Sequence, residues 1–385
     1  MFVITNTNVI LSDGIIFGGA VAVEGERIVF VGKEKDYTIP QGSKVIDAKG
    51  LYTAPGLVDI HNHGSRYDLF VDEPDKCAEY FIKHGQTTIL PTLYCNLTAE
   101  KMIDGVKKIR ESSKKGVGRI LSGVYMEGPY MNGMGSNQKY ILWGGKIDKS
   151  EYMPVLDEVK DFAKVWAIDP AREGIDGFMA VVKEKNPNAI FALGHSKATS
   201  QQCKRVSKYG VKVQTHHGDS GKAAGLAQGT IGAGCDEYTL YNPDMFAEII
   251  CDEVGVHLPA DMIKMVVRTK GVERIILITD SMPSDGDFTN NEADGIAYGP
   301  DLNYDYEGHL AGSRLTLDNA CKNLMSHTGY GLCHAIRFAS YNPAVLLGMD
   351  DEIGSIEVGK LANLILIDGS VDVKTVFLRG ERVVG

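Results

Sequence analysis

Residues 57–63, LVDIHNH, open apolar and end in two histidines. The same design, a short apolar run that stops at polar residues, recurs seven more times: TTILPTLY (87–94), ILSGVYMEG (120–128), VWAID (165–169), IFALGHS (190–196), VKVQTHH (211–217), AEIICDE (247–253) and RIILITD (274–280). Segments with helical spacing and charge separate these runs. Near-continuous apolar strands alternating with helices are buried parallel strands, and eight such units predict an α/β fold of the (β/α)8 barrel type. The two chain ends have another rhythm. FVITNTNVI (2–10) and AVAVEGERIVFVG (20–32) alternate with period two, as do NLILIDG (363–369) and KTVFLRGERVVG (374–385), which is the pattern of short antiparallel strands and hairpins. Neither end has enough strand to close a sheet alone. Residues 1–54 and 345–385 are therefore expected to pair into one small β-sandwich domain beside a barrel of residues 55–344.

A barrel strand has no structural reason to end in a metal-binding side chain, yet five of the eight runs do: His61 and His63, Glu127, His195, His216 and Asp280. The carboxyl ends of barrel strands open on one face, where active sites lie, so these residues converge in space. Histidine with carboxylate is the donor set of a borderline divalent ion such as zinc or iron(II). Each residue also has an ordinary reading. The HxH pair can be polar surface, Glu127 can serve the turn at Gly128 and Pro129, His195 and His216 can be core histidines, and Asp280 can cap a helix. Five coincidences on one rim are outweighed by one site. His217 points to the other side of its strand, so His216 is taken as the ligand. His257, in GVHLP beyond the seventh strand, is a candidate substrate contact or a plain loop histidine. His84 is read as a surface residue, and His309, His327 and His334 have no strand-end context.

Composition narrows the class. An apolar fraction of 44% and a charged fraction of 23% match soluble globular chains and argue against a disordered, collagenous or membrane-spanning protein. Glycine, 44 of 385 residues, predicts many tight turns against a background of about 7%. With 40 basic against 50 acidic residues, a net charge of −10 and no basic run, neither nucleic acid nor an anionic membrane is an expected partner. Seven scattered cysteines without a CxxC pair read as reduced thiols of a cytoplasmic protein. The start, MFVITNTNVILSDG, has no basic residue before Arg27, so no signal peptide is expected, and no apolar run reaches membrane-spanning length.

Taken in order, DAKGLYTAPGLVDIHNHG (47–64), LPTL (90–93), MEGPYMN (126–132), GHS (194–196), TH (215–216), GVHLP (255–259), ITD (278–280), LAGSRLTLDNACKNLM (310–325), YNPAVLLGM (341–349) and GSIEVGKLANLILID (354–368) resemble the N-acetylglucosamine-6-phosphate deacetylase family of the amidohydrolase superfamily. The resemblance runs nearly the whole chain. It implies that Glu127, His195 and His216 hold a divalent metal, zinc or iron, that Asp280 is the acid/base, and that His61 and His63 permit a second ion. It also implies substrate contacts at His257, Asp219, Ser220, Lys222, Leu310, Ala311 and Gly312, and a homodimer. The reaction implied is deacetylation of N-acetylglucosamine 6-phosphate in amino-sugar catabolism. Hydantoinase-like relatives instead bridge two metals with a carboxylated lysine at the rim end of strand four. Here VWAID offers only Lys164, which is read as preceding the strand and so lies at the wrong end.

Three segments depart from the family pattern. HGSRYDLF (63–70) has Ser65 and Arg66 where glycines are usual, GMGSNQKYILWGG (133–145) lacks the histidine that family members offer the sugar, and THHGDSG (215–221) places Asp219 where an asparagine meets substrate. Relatives hold the 6-phosphate partly with an arginine in the loop after the strand-six histidine, often across a dimer interface. This chain has no arginine between Arg205 and Arg268, leaving Lys222 in that loop. The alternative reading is an amidohydrolase that deacetylates an unphosphorylated or different N-acetyl amino sugar. A non-catalytic scaffold would be expected to have lost a metal residue or Asp280, and none is lost.

Overall fold

Eight parallel strands form the expected ring: Leu57–Asn62, Gln86–Tyr94, Val124–Glu127, Ala163–Ile168, Ile190–Leu193, Val211–Gln214, Phe246–Ile250 and Ile275–Ile278, each paired with the next in chain order. The structure, a computed structural model, describes residues 1–132, 141–219, 221, 223, 225, 227, 230–283, 299–305 and 308–385. The strands are buried on both faces, which is why they read as unbroken apolar runs; all four residues of Ile275–Ile278 are inside. Helices cover the outside and turn one apolar face inward. Ala99–Ser112 buries Met102, Val106 and Ile109 at helical spacing, and its first turn is fixed by Thr98, whose side chain accepts from the Lys101 amide. Ala260–Lys270 does the same with Ile263, Val266 and Val267.

The ring closes between its first and last strands. The Asp280 amide donates to the His61 carbonyl at 2.9 Å, and the amides of His63 and Gly64 both donate to the Ser281 carbonyl at 2.9 Å. Deeper in the seam lies Asp59, the one acid inside LVDIHNH. One carboxylate oxygen accepts from the Thr279 hydroxyl at 2.7 Å and from Asn62 and Gln86 at 2.9 Å each, so a single side chain joins strands one, two and eight. Burial pushes its pKa up to about 6 in spite of those donors. Lys164 is the second residue of the fourth strand rather than preceding it, because that strand begins at Ala163; its ammonium turns back to the Asp161 carbonyl, at the end away from the rim.

The chain ends build a second, separate sheet of eight strands. Its order runs Glu381–Val384, Val373–Leu378, Leu364–Ile367, Tyr52–Pro55, Phe2–Ile10, Ile15–Glu24, Arg27–Lys33, with Lys44–Asp47 also against Phe2–Ile10. Tyr52–Pro55 and Leu364–Ile367 pair antiparallel and so tie the two ends of the chain together. Ile4, Val9, Val21, Val23, Leu364, Leu366 and Phe377 form its core, the alternate residues that the period-two pattern selects.

After the seventh strand the chain knots around Asp252. Its carboxylate accepts from the amides of Gly255 (2.6 Å), Val256 (2.9 Å) and His257 (2.9 Å) and from His257 Nδ1 (3.1 Å). His257 Nε2 faces the Gly312 carbonyl at 3.2 Å, so both ring nitrogens meet acceptors and both donate. Burial alone would raise Asp252; the His257 and backbone donors reverse this and bring it to about 2. Burial likewise opposes a charged His257, and Asp252, with Asp219 and Asp280 nearby, raises its pKa nonetheless. A depressed acid contributes stability above its unfolded pKa of about 3.9 and loses it as pH falls towards 2. A raised histidine contributes below about 6.5 and loses it as pH rises through its folded value. Asp252→Ala is therefore expected to cost about 1–3 kcal/mol, with the melting-temperature gap to wild type widest between about pH 4 and 6.5 and narrowing towards pH 2, measured by calorimetry.

Candidate active site

The site is built where strands stop. Glu127 is the last residue of the third strand, His61 lies within the first and His63 just beyond it. His195, His216 and Asp280 follow strands five, six and eight, and all three take left-handed backbone, with φ of 44°, 27° and 48°. Side-chain-bearing residues avoid this region at a cost of about 1–3 kcal/mol each, and such strain collects at functional sites. The turn it produces swings each side chain away from the alternation of the strand. Beside Asp280, Gly312 also has positive φ (55°), and a Cβ there would stand 2.6 Å from the Asp280 carbonyl oxygen. Only glycine fits, and through it the LAG segment, Leu310 to Gly312, runs directly against the eighth strand end and His257.

Glu127 divides its two oxygens between two pairs of histidines. Oε1 lies 2.8 Å from His195 Nε2 and 3.3 Å from His216 Nε2; Oε2 lies 3.2 Å from His63 Nε2 and 3.9 Å from His61 Nε2. Asp280 Oδ1 stands opposite, 3.0 Å from His63 Nε2 and 3.4 Å from His61 Nε2. All six side chains are buried. The ligand atoms of His61, His63 and Glu127 fall within 4.8 Å of one another, as do those of Glu127, His195 and His216.

Two features test whether a cation fits. His195 Nε2 and His216 Nε2 approach to 3.1 Å, a separation at which two imidazole lone pairs repel unless a proton or a cation sits between them. His61 Nε2 is buried and makes no hydrogen bond among the described residues. The donor set, imidazole nitrogens with a shared carboxylate, matches a zinc-like divalent ion. Electrostatics agree. Burial opposes ionisation of Glu127, yet His195, His216 and His61 hold its carboxyl well below the usual range. Asp280 is likewise lowered against burial by His61, His63 and His216, so it stands as a carboxylate. In return His61 and His63 are raised, and His216 reaches about 9, each against the penalty of burial and chiefly through Asp280 and Glu127. Protons stand where a divalent ion would, since metal binding releases them.

The remaining predicted residues divide. Asp219 closes the turn after strand six, its amide donating to the His216 carbonyl at 3.0 Å, while its own carbonyl faces His216 Nδ1 at 3.3 Å. Ser220, Lys222 and residues 133–140 of the loop following Glu127 lie outside the described residues. His217 turns away from Glu127 to Gln214 at 2.6 Å. His84, expected at the surface, is half-buried and paired with Asp318 at 3.1 Å. Sequence reasoning passed over Glu248, whose Oε2 meets His61 Nδ1 at 3.2 Å, and Asp252 and Asp59. The signal was there in Glu248 and Asp59, an acid inside an otherwise apolar strand run.

Comparison with known proteins follows from this geometry. Residues 52–383 match the Amidohydrolase family. Over 340 residues, 85% of this chain and 86% of its relative, the sequence is 30% identical to N-acetylgalactosamine-6-phosphate deacetylase of Escherichia coli O157:H7. Over 388 residues, 94% of each, it is 26% identical to N-acetylglucosamine-6-phosphate deacetylase of Haemophilus influenzae. The fold superposes on the crystal structure of N-acetylglucosamine-6-phosphate deacetylase from Pasteurella multocida with a TM-score of 0.86 at 24% identity, covering 100% of both chains. The chain belongs to the amidohydrolase family, among its N-acetylated amino-sugar 6-phosphate deacetylases, and is a hydrolase.

Proposed function

We propose that the chain removes the acetyl group of N-acetylglucosamine 6-phosphate, giving glucosamine 6-phosphate and acetate, in amino-sugar catabolism. The observation that carries this reading is the placement of ionised Asp280 across from a carboxylate shared by His195 and His216, in a chain whose relatives carry out this deacetylation. Glu127, His195 and His216 would hold a divalent ion, zinc or iron(II), which when bound supplies an acidified water and positive charge towards the amide carbonyl. Asp280 accepts the proton of the attacking water and returns it to the nitrogen as the C–N bond breaks, because an unprotonated amine is a poor leaving group. Asp252 holds His257 beside Gly312, where His257 and the LAG segment, with Asp219, Ser220 and Lys222, are assigned to the sugar. Residues 55–344 are assigned to the catalytic barrel and 1–54 with 345–385 to the β-domain. All seven cysteines are free thiols, and six of them are buried, which supports a reducing, cytoplasmic setting. A homodimer is assigned by analogy with the family.

A second reading, a different N-acetyl amino sugar, is favoured by two observations. The relative at 30% identity is an N-acetylgalactosamine-6-phosphate deacetylase, and Ser65, Arg66 and Asp219 stand where the family resemblance implies glycines and an asparagine.

Three outcomes follow from the first reading. Protein purified without chelator should carry about one to two divalent ions per chain by elemental analysis, Glu127→Gln should lower that occupancy, and full activity of metal-free protein would sink the reading. Asp280→Asn should keep fold and metal content while turnover falls by about two to four orders of magnitude; weaker binding with turnover preserved would contradict the role. Lys222 binds phosphate as a point charge without the fork of arginine. The ratio of kcat/KM for N-acetylglucosamine 6-phosphate over N-acetylglucosamine should be well above one in wild type and drop in Lys222→Ala. A wild-type ratio near one would remove the phosphate, and a high ratio that survives the substitution would move its anchor elsewhere.

A further inference from the structure

The seventh strand carries a charge where its neighbours carry hydrocarbon. Glu248 is fully buried in Phe246–Ile250, between Ala247 and Ile249. Its Oε2 accepts from strand one and from the turn after strand six at once, from His61 Nδ1 at 3.2 Å and from the His216 amide at 3.3 Å, while Oε1 makes no hydrogen bond among the described residues. Barrel packing does not ask for this. An apolar side chain of similar size would fill the place without the desolvation cost of a half-satisfied carboxylate. Because an ionised carboxylate only accepts, the His61 proton that meets it sits on Nδ1. Once an ion displaces the second proton, His61 Nε2 is the ligand atom, 3.4 Å from Asp280 Oδ1 and 3.9 Å from Glu127 Oε2. The Tyr125 ring, 4.5 Å from the His61 ring, backs it from the other side.

We propose that Glu248 is a positioning residue for a second divalent ion: it holds His61 by Nδ1–H so that Nε2 faces the position shared with His63 and Glu127, and its charge makes two ions rather than one the stable occupancy. This inference rests on the divalent-ion reading of Glu127, His195 and His216. Charge supports it independently of tautomer. Glu127, Asp280 and Glu248 place three buried carboxylates around the two positions, and one dication leaves the group net negative. Without the charge of Glu248, two carboxylates and one dication are already balanced. The same Oε2 also holds the amide of His216, a residue of the other position, so one side chain braces both.

The test is titration of metal-free protein with cobalt(II), in wild type and Glu248→Gln, with stoichiometry from elemental analysis and site geometry from visible absorption. Wild type should take up two ions per chain; the variant should keep the affinity of the first and bind the second about 10–100-fold more weakly. Equal numbers of ions with equal affinities in the two proteins, whether two or one, overturn the proposal and leave the divalent-ion reading standing. No uptake by either protein overturns both. If Glu248→Gln fails to fold, wild type alone decides. In zinc-loaded protein labelled with 15N-histidine, His61 must show its proton on Nδ1, and a proton on Nε2 overturns the assignment.

Discussion

One carboxylate has to satisfy four imidazoles among largely buried side chains. Glu127 meets that demand by giving one oxygen to His195 and His216 and the other to His61 and His63. Lone pairs crowded to about 3 Å are tolerable only around positive charge, so the arrangement is organised about a centre that the side chains themselves do not occupy. The barrel brings the strand ends to a common rim. Left-handed backbone at His195, His216 and Asp280 then bends three of the side chains off their strands and onto that centre.

Buried acids fasten the surroundings. Asp59 gathers donors from strands one, two and eight, Asp252 gathers the amides of the loop that bears His257, and Glu248 spans strand one and the turn after strand six. A buried carboxylate is costly alone and stable when several donors converge on it; for Asp59 and Glu248 those donors come from segments far apart in the chain, and for Asp252 from the loop that follows it. Each acid therefore fixes relative positions that apolar contacts, being non-directional, would leave loose. The precision of the rim is set by charge, and the cohesion of the barrel beneath it by hydrocarbon.

The eight strands were legible because burial on both faces strips them of polar residues, and the rim residues because a histidine or acid at the end of such a run has few other uses. The partner of His84 was not legible, since a lone histidine in a helical segment says nothing of what it pairs with; Asp318 comes from 234 positions away. Glu248 and Asp59 were visible as acids within apolar runs, but their partners were not, and without partners a buried acid has no stated role. Asp252 looked like an ordinary loop residue for the same reason. The sugar-binding loops were least legible. Their residues are chosen to suit a ligand, and neither periodicity nor capping constrains them.

The closing seam of the barrel also orders events in time. His61 and Asp280 meet across it, joined by the Asp280 amide on the His61 carbonyl, although the ribosome delivers them more than two hundred residues apart. At about 5–20 residues per second, the nascent chain spends about 8–30 seconds holding His61, His63 and Glu127 with no proton carrier. Its first strand meanwhile presents an open edge to anything able to pair with it. Leu364–Ile367, which must pair with Tyr52–Pro55, arrives later still. Hydrolytic competence is thus deferred until nearly the whole polypeptide has been made, and the early half depends on its surroundings to keep that edge unpaired.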